Sequence, residues 1–232
     1  MHTLNILNNI KETKQEVFDS YNNLMFSKDT RVFNKMTKRI ELFLQTKEIV
    51  GDIWEIGVFK GAGLSLWAKL KNMYDYHSPT KLVGVDFFDP QECLEDLSGN
   101  NRSKMNDVLK RVKKENLSLK CVRDKLCKVN NKDILLLKGE AVVTCSEYIK
   151  NNPGVKIKIL YMDLDLGKPT YGVLKTLWKN ISLNGLVVFD EYALHCWDES
   201  VGVDKFLKEI KGQYEYFSTK INAPSMYIKK IV

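Results

Sequence analysis

Ile157-Lys158-Ile159-Leu160-Tyr161-Met162-Asp163-Leu164-Asp165-Leu166, and after it Leu186-Val187-Val188-Phe189-Asp190-Glu191-Tyr192, are apolar runs that each end in carboxylates. Parallel strands covered on both faces read as such runs. Ligands of open α/β sheets bind just beyond the carboxyl ends of their strands. Two neighbouring strands of this kind bring Asp163, Asp165, Asp190 and Glu191 to one rim. Clustered carboxylates repel unless a cation lies between them, and oxygen-only ligands suit Mg²⁺, Ca²⁺ or Mn²⁺. A divalent-metal site on an α/β enzyme is the leading reading. The competing one is that the acids merely cap the helices that follow.

Working outward, the pattern alternates. Strands are predicted over 50–56, 81–86, 134–138, 157–163 and 186–190, and helices over 62–74, 142–151, 170–181 and near 199–211. Alternation of this kind predicts a parallel sheet. Two short terminal strands, about 214–219 and 225–231, lack a helix between them and are expected to pair antiparallel at one edge. A polar excursion over 89–132, helical near 102–114, is expected to form a lid. Residues 13–48 read as two helices, the second carrying an apolar stripe that includes Val32, Phe33, Met36, Ile40 and Phe43. The reading is one domain over 1–232: an N-terminal helical extension over 1–48 and a core over 49–232. The extension must pack on the sheet or on a second subunit, so a homo-oligomer through these helices is one of two outcomes.

Bulk properties narrow the classes. At 232 residues and 44% hydrophobic, the chain can bury a sizeable core. No apolar run approaches the roughly 20 residues of a membrane span, and Met1-His2-Thr3-Leu4-Asn5 begins no signal-peptide core. The five cysteines are scattered, with no CxxC pair, which argues against structural zinc or a disulfide framework. A cytoplasmic protein is expected. The net charge of +7 suits an anionic partner, and Lys104, Lys110, Arg111, Lys113 and Lys114 are candidates for a substrate phosphate. No aromatic-interleaved RNA-binding motif accompanies them, so nucleic acid is not expected.

The other strand ends suggest a cofactor. Trp54-Glu55-Ile56-Gly57-Val58-Phe59-Lys60-Gly61-Ala62-Gly63 is a strand running into a glycine-bearing turn and a helix. The spacing is GxxxGxG, so the dinucleotide fingerprint is missing. Glu55 suits the ammonium of an amino acid. Asp86, closing the second strand, suits ribose hydroxyls. Glu140, in Gly139-Glu140-Ala141 after the third, is placed to read an adenine amino group. Three acids at three strand ends without a phosphate loop suit S-adenosylmethionine. Gly57, Gly61, Gly63, Phe87, Gly139 and Ala141 join these acids and Asp163 as candidate cofactor contacts.

Gly51 to Gly61, the run Asn152-Pro153-Gly154 with Leu160 to Leu166, Pro169-Thr170, and Asn184 to Tyr192 together resemble the macrocin/mycinamicin (TylF/MycF-like) O-methyltransferase family. Val203 to Leu207 resembles the family's following helix. The resemblance runs from about residue 31 to the C-terminus. It implies a Rossmann-like class I methyltransferase fold with strand order 3-2-1-4-5-7-6, S-adenosylmethionine, Mg²⁺ (or Mn²⁺), and methylation of a sugar hydroxyl on a glycosylated or nucleotide-linked substrate. The implied metal acids are Asp163, Asp190 and Glu191. The family commonly has two aspartates where this chain has Asp190-Glu191. It usually has an aromatic and an acid where Gly167-Lys168 stand, which predicts a roomier acceptor pocket.

Methyl transfer is an in-line displacement, so alignment supplies much of the catalysis. The acceptor hydroxyl also needs a base. Asp163 and His195 are the candidates, and Trp197, Glu199, Tyr171 and Tyr192 are candidate pocket residues. The readings that compete with a sugar O-methyltransferase are a catechol-type small-molecule O-methyltransferase, an RNA methyltransferase and a non-catalytic nucleotide-binding protein.

Overall fold

A computed structural model describes residues 15–95, 97–130 and 132–232. The N-terminal stretch Met1 to Asn5 lies outside the described residues. Seven strands form one sheet in the order β3-β2-β1-β4-β5-β7-β6. They are β1 (Asp52–Ile56), β2 (Leu82–Asp86), β3 (Ile134–Lys138), β4 (Ile157–Met162), β5 (Ile181–Phe189), β6 (Tyr214–Ser218) and β7 (Met226–Lys230). All pairs are parallel except those made by β7, which runs antiparallel to both β5 and β6. The order is the one the family resemblance implied.

Strand periodicity sorts the side chains into two cores. Trp54, Ile56, Leu160, Met162, Val187 and Phe189 enter one, while Ile53, Ile159, Tyr161, Leu186 and Val188 enter the other. The first core is covered by helices α7 (Ala141–Asn151), α8 (Gly167–Leu177) and α9 (Glu199–Glu209), which contribute Cys145, Val173, Leu174, Val203 and Phe206. The second is covered by α2 (Arg31–Gln45), α3 (Ala62–Tyr74) and α6 (Leu119–Leu126), through Leu42, Phe43, Leu64, Trp67, Val122 and Leu126. The result is a three-layer α/β/α sandwich.

The N-terminal extension divides in two. Helix α2 packs on the sheet, burying Arg39, Leu42 and Phe43. Helix α1 (Gln15–Met25) buries nothing among the described residues, and Phe18, Tyr21 and Phe26 are exposed on and beside it. The 89–132 excursion is also divided. Helices α4 (Pro90–Glu95) and α5 (Gly99–Leu109) lie over the sheet's carboxyl end. Helix α6, which the sequence pattern did not predict, is an ordinary crossover helix with Val122 and Leu126 in the core. Its polar sequence conceals it: two inward apolar residues suffice because Leu119 and Val129 flank them.

Candidate active site

The strand order reverses between β1 and β4, and a cleft of about 1170 Å³ opens there beyond the strand ends. Its walls include Gly57, Asp86, Phe87, Gly139, Glu140 and Ala141 from the ends of β1, β2 and β3, so these candidate cofactor residues do converge. Gly57 has φ +92, and a Cβ there would lie 1.9 Å from the Asp163 carbonyl oxygen. Asp86 accepts hydrogen bonds from the backbone N–H groups of Val58, Phe59 and Phe88 at 2.8–2.9 Å. It therefore braces the glycine turn, with Oδ1 taking only one of those bonds. Glu140 caps α7 by accepting from the Val143 N–H at 2.8 Å. For this acid the capping reading holds.

Glu55 is placed otherwise. It is 2% exposed and does not line the cleft. Arg39 from α2 donates to its Oε1 at 3.2 Å, and a second N···O contact of 3.2 Å closes the ion pair. The Arg39 guanidinium also lies 3.8 Å from the Tyr161 ring centroid. Glu55 was expected to meet a ligand ammonium; in the structure the cation beside it is Arg39 of the same chain. Gly63 serves the pair, since a Cβ there would meet Glu55 Oε1 at 2.1 Å. Gly61, at φ +84, opens α3 and faces Val122 rather than the cleft. Removing one partner of a buried ion pair strands the other charge. Arg39→Met should therefore cost about 3–5 kcal/mol in urea unfolding. Adding Glu55→Gln should return most of that loss, and a simple sum of the two effects would refute the coupling.

The carboxylates from β4 and β5 meet in the cleft lining, and here the capping reading fails. Asp163, Asp165, Asp190 and Glu191 all line the cleft, and none caps α8 or α9, whose N-caps are Leu166 and Asp198. Asp190 is 1% exposed. The Tyr161 hydroxyl donates to its Oδ1, and the Lys35 ammonium donates to its Oδ2 at 2.7 Å. Lys35 also donates to Asp163 Oδ2 at 3.2 Å. One lysine from α2 thus bridges acids from two strands. Burial, and then the Asp190 charge, push the Asp163 carboxyl well above the usual range. The same causes raise Asp165 to about 7. Glu191 is pushed up to about 7 by burial and by its acidic neighbours. Glu199 is fully buried and takes the Glu191 N–H on Oε2 at 2.8 Å, so it holds the loop after β5. Burial pushes its own carboxyl up to about 9.

Lys35 and Tyr161 had no role in the sequence reading, and Asp165 was placed only at the acidic rim, not as a base. Asp165 is the one with a legible signal, because it sits in the quoted run two residues after Asp163. It has φ +64, a left-handed conformation that is uncommon outside glycine and collects at functional sites. Its carboxylate has no hydrogen-bond partner among the described residues, and it lines the cleft. His195 is exposed and does not line the cleft.

The rim across from the sheet is helical. Asp198 accepts from the Gly167 N–H at 2.9 Å and from Asn101 Nδ2 at 3.2 Å, tying α5 to the start of α8. Lys104 donates to the Cys196 carbonyl and lies beside Trp197, which lines the cleft. Lys110, Arg111, Lys113 and Lys114 are exposed and outside the cleft wall. Lys168 lines it. Gly167 does not widen it. The glycine is buried against α9, where a Cβ would meet the Asp198 carbonyl oxygen at 2.5 Å, and a Cβ on Gly202 would meet the Gly167 carbonyl oxygen at 1.9 Å. The missing side chain is spent on a close helix crossing.

Comparison with known proteins agrees with this architecture. A family model described as macrocin-O-methyltransferase (TylF) matches residues 22–216. The O-methyltransferase NovP superposes with a TM-score of 0.69 at 18% identity, covering 86% of this chain and 80% of that one. The apo structure of CalS11, a TDP-rhamnose 3'-O-methyltransferase of calicheamicin biosynthesis, has a TM-score of 0.64 at 22% identity, covering 99% and 91%. TomG from Streptomyces achromogenes, an O-methyltransferase in complex with S-adenosylmethionine, has a TM-score of 0.56 at 13% identity, covering 95% and 100%. No curated protein sequence matches significantly. The extent of the family match, on a fold of the same strand order, shows that the chain belongs to the macrocin O-methyltransferase (TylF) family and is an S-adenosylmethionine-dependent O-methyltransferase.

Proposed function

We propose that the chain transfers the methyl group of S-adenosylmethionine to a sugar hydroxyl, on a nucleotide-linked sugar of a glycan or capsule pathway. The observation that carries this is the convergence of Asp163, Asp165, Asp190 and Glu191 on the same cleft that the cofactor-end residues line. Family membership supports the sugar acceptor, and the TDP-rhamnose enzyme among the structural relatives supports the nucleotide handle. Lys168 is a cleft-lining cation with no acidic partner among the described residues, and it suits that handle.

The donor set suits a divalent ion by its chemistry, and the ion would have to draw the acids together, since no three of them among the described residues stand in a ready-made metal-holding group. The donor atoms are all hard oxygens, and Glu191 Oε2 is buried with no partner among the described residues. Asp163, Asp190 and Glu191 would hold Mg²⁺ or Mn²⁺, which when bound lowers the pKa of a hydroxyl and orients it. The remaining work belongs to side chains. Asp165 takes the hydroxyl proton, being free, raised to about 7 and placed on the cleft wall. Tyr161 holds Asp190 in place. Trp197 and the α5 helix exclude water over the reacting atoms.

The exposed apolar side chains of Phe18, Tyr21 and Phe26 support a homo-oligomer through α1, which sedimentation would register. The free cysteines fit a reducing, cytoplasmic setting. No helix among the described residues is long and apolar enough to cross a membrane.

Methyl transfer to nucleotide sugars, neutral glycosides and catechols tests the proposal. Nucleotide sugars should give the highest kcat/KM, EDTA should abolish turnover, and Mg²⁺ or Mn²⁺ should restore it. Preferred methylation of catechols would sink the acceptor assignment, and full activity in chelator would remove the metal.

A further inference from the structure

The carboxylate cluster already contains a cation. Lys35 Nζ lies 2.7 Å from Asp190 Oδ2 and 3.2 Å from Asp163 Oδ2. The other Asp190 oxygen is occupied by the Tyr161 hydroxyl, itself fully buried. An ion ligated by both aspartates takes the Asp190 oxygen that Lys35 holds, and its Asp163 ligand is either Oδ2, also held by Lys35, or Oδ1 of the same carboxylate. An Mg²⁺ ion sits about 2.1 Å from each ligand oxygen. It cannot take that place while Nζ remains there, because two cations at such separation repel strongly.

We propose that Lys35 is a tethered counter-ion that competes with the divalent ion, so that the metal enters the site only by displacing the ammonium. The proposal rests on the reading of Asp163 and Asp190 as metal ligands. The anatomy of α2 makes the exchange local. One helical turn beyond Lys35, Arg39 is locked to Glu55 and stacked on Tyr161, and Leu42 and Phe43 are buried, so the helix is fixed. The Lys35 side chain is 35% exposed and can swing out on its flexible stem. With the ion absent, the ammonium keeps the two aspartates from repelling each other. With the ion present, the ammonium is released toward the cleft opening. Lysine therefore sets a threshold for metal binding, and an uncharged side chain of similar length lowers it.

Mn²⁺ binding, followed by the paramagnetic resonance signal of the free ion, tests this on wild type, Lys35→Met and Lys35→Arg. Lys35→Met should bind Mn²⁺ at least about tenfold more tightly than wild type, the scale of removing a unit charge beside both ligands. Lys35→Arg, which keeps the charge, should stay near wild type. In thermal melts without metal, Lys35→Met should unfold at lower temperature, and Mn²⁺ should raise its midpoint more than that of wild type. Equal Mn²⁺ affinity in all three proteins overturns the competition and leaves the metal site standing. Absence of Mn²⁺ binding in all three overturns the metal reading itself, and the competition with it.

Discussion

Asp165→Asn should lower kcat by about two to four orders of magnitude, the usual contribution of a positioned general base, while the affinity for S-adenosylhomocysteine stays within about twofold. The amide keeps the shape of the side chain and loses the proton acceptor. The pH profile follows from the same residue. The base works only when ionised, and burial together with the Asp190 charge holds its carboxyl at about 7. A bound divalent ion draws that value down, so wild-type kcat should rise with pH to a plateau reached by just above pH 7, and the variant should lose that limb. Misfolding is separable by its sign. The folded-state pKa is raised above the roughly 3.9 of an unfolded aspartate, so ionising Asp165 costs stability, with the cost absent below about pH 4 and complete above about pH 7. At pH 8 the variant should melt no lower than wild type. His195→Gln is the companion variant, and its activity should be nearly unchanged because the ring is exposed and off the cleft. A severe loss in His195→Gln with a mild one in Asp165→Asn would reverse the assignment.

Gly57→Ala is the largest expected loss of stability. The added Cβ would come within 1.9 Å of the Asp163 carbonyl oxygen and 2.8 Å of its carbonyl carbon, both backbone atoms at the join of β1 and β4. Position 57 also has φ +92, which an alanine adopts only under strain. Neither strand can yield alone. The Asp163 N–H bonds the Ile56 carbonyl at 2.8 Å, and the Gly57 N–H bonds that of Val85 at 2.9 Å. A loss of about 4 kcal/mol or more is expected, in the range reserved for strain and overpacking in a core. Cofactor binding should fall with it, since the same turn forms the cleft floor. Gly154→Ala is the control: nothing lies within 4 Å of a Cβ there, and its urea midpoint should hardly move. Equal behaviour of the two variants would show that the turn relaxes more readily than its geometry indicates.

Much of the fold was legible because strand burial leaves a one-dimensional trace. The runs ending at Met162 and Phe189 are apolar on both faces because both faces are covered, and the acids after them fall at the rim by continuity of the chain. Helix α3 matches its predicted bounds of 62–74, opened by a glycine at positive φ. Helix α6 was not legible, since only Val122 and Leu126 of its eight residues are buried and most of the others are exposed. The start of β5 at Ile181 was likewise missed, because Ser182, Leu183 and Asn184 are not buried and break the apolar run.

By itself the sequence determined the alternating α/β architecture, the family, and the convergence of Asp163, Asp165, Asp190 and Glu191. Each of these depends on residues close in sequence or on strand order, and hydrophobic period carries both. Only the tertiary structure decided which charges pair. Glu55 and Arg39 are 16 residues apart, and Lys35 stands 128 and 155 residues from Asp163 and Asp190. Such pairings depend on how α2 lies across β1 and β4, and no local pattern encodes that. The same holds for Gly167, whose lost side chain looked like room for a substrate and is instead the contact distance between two helices. An ion pair or a close crossing is made by groups that meet through space, so its partners become visible only when the chain is folded.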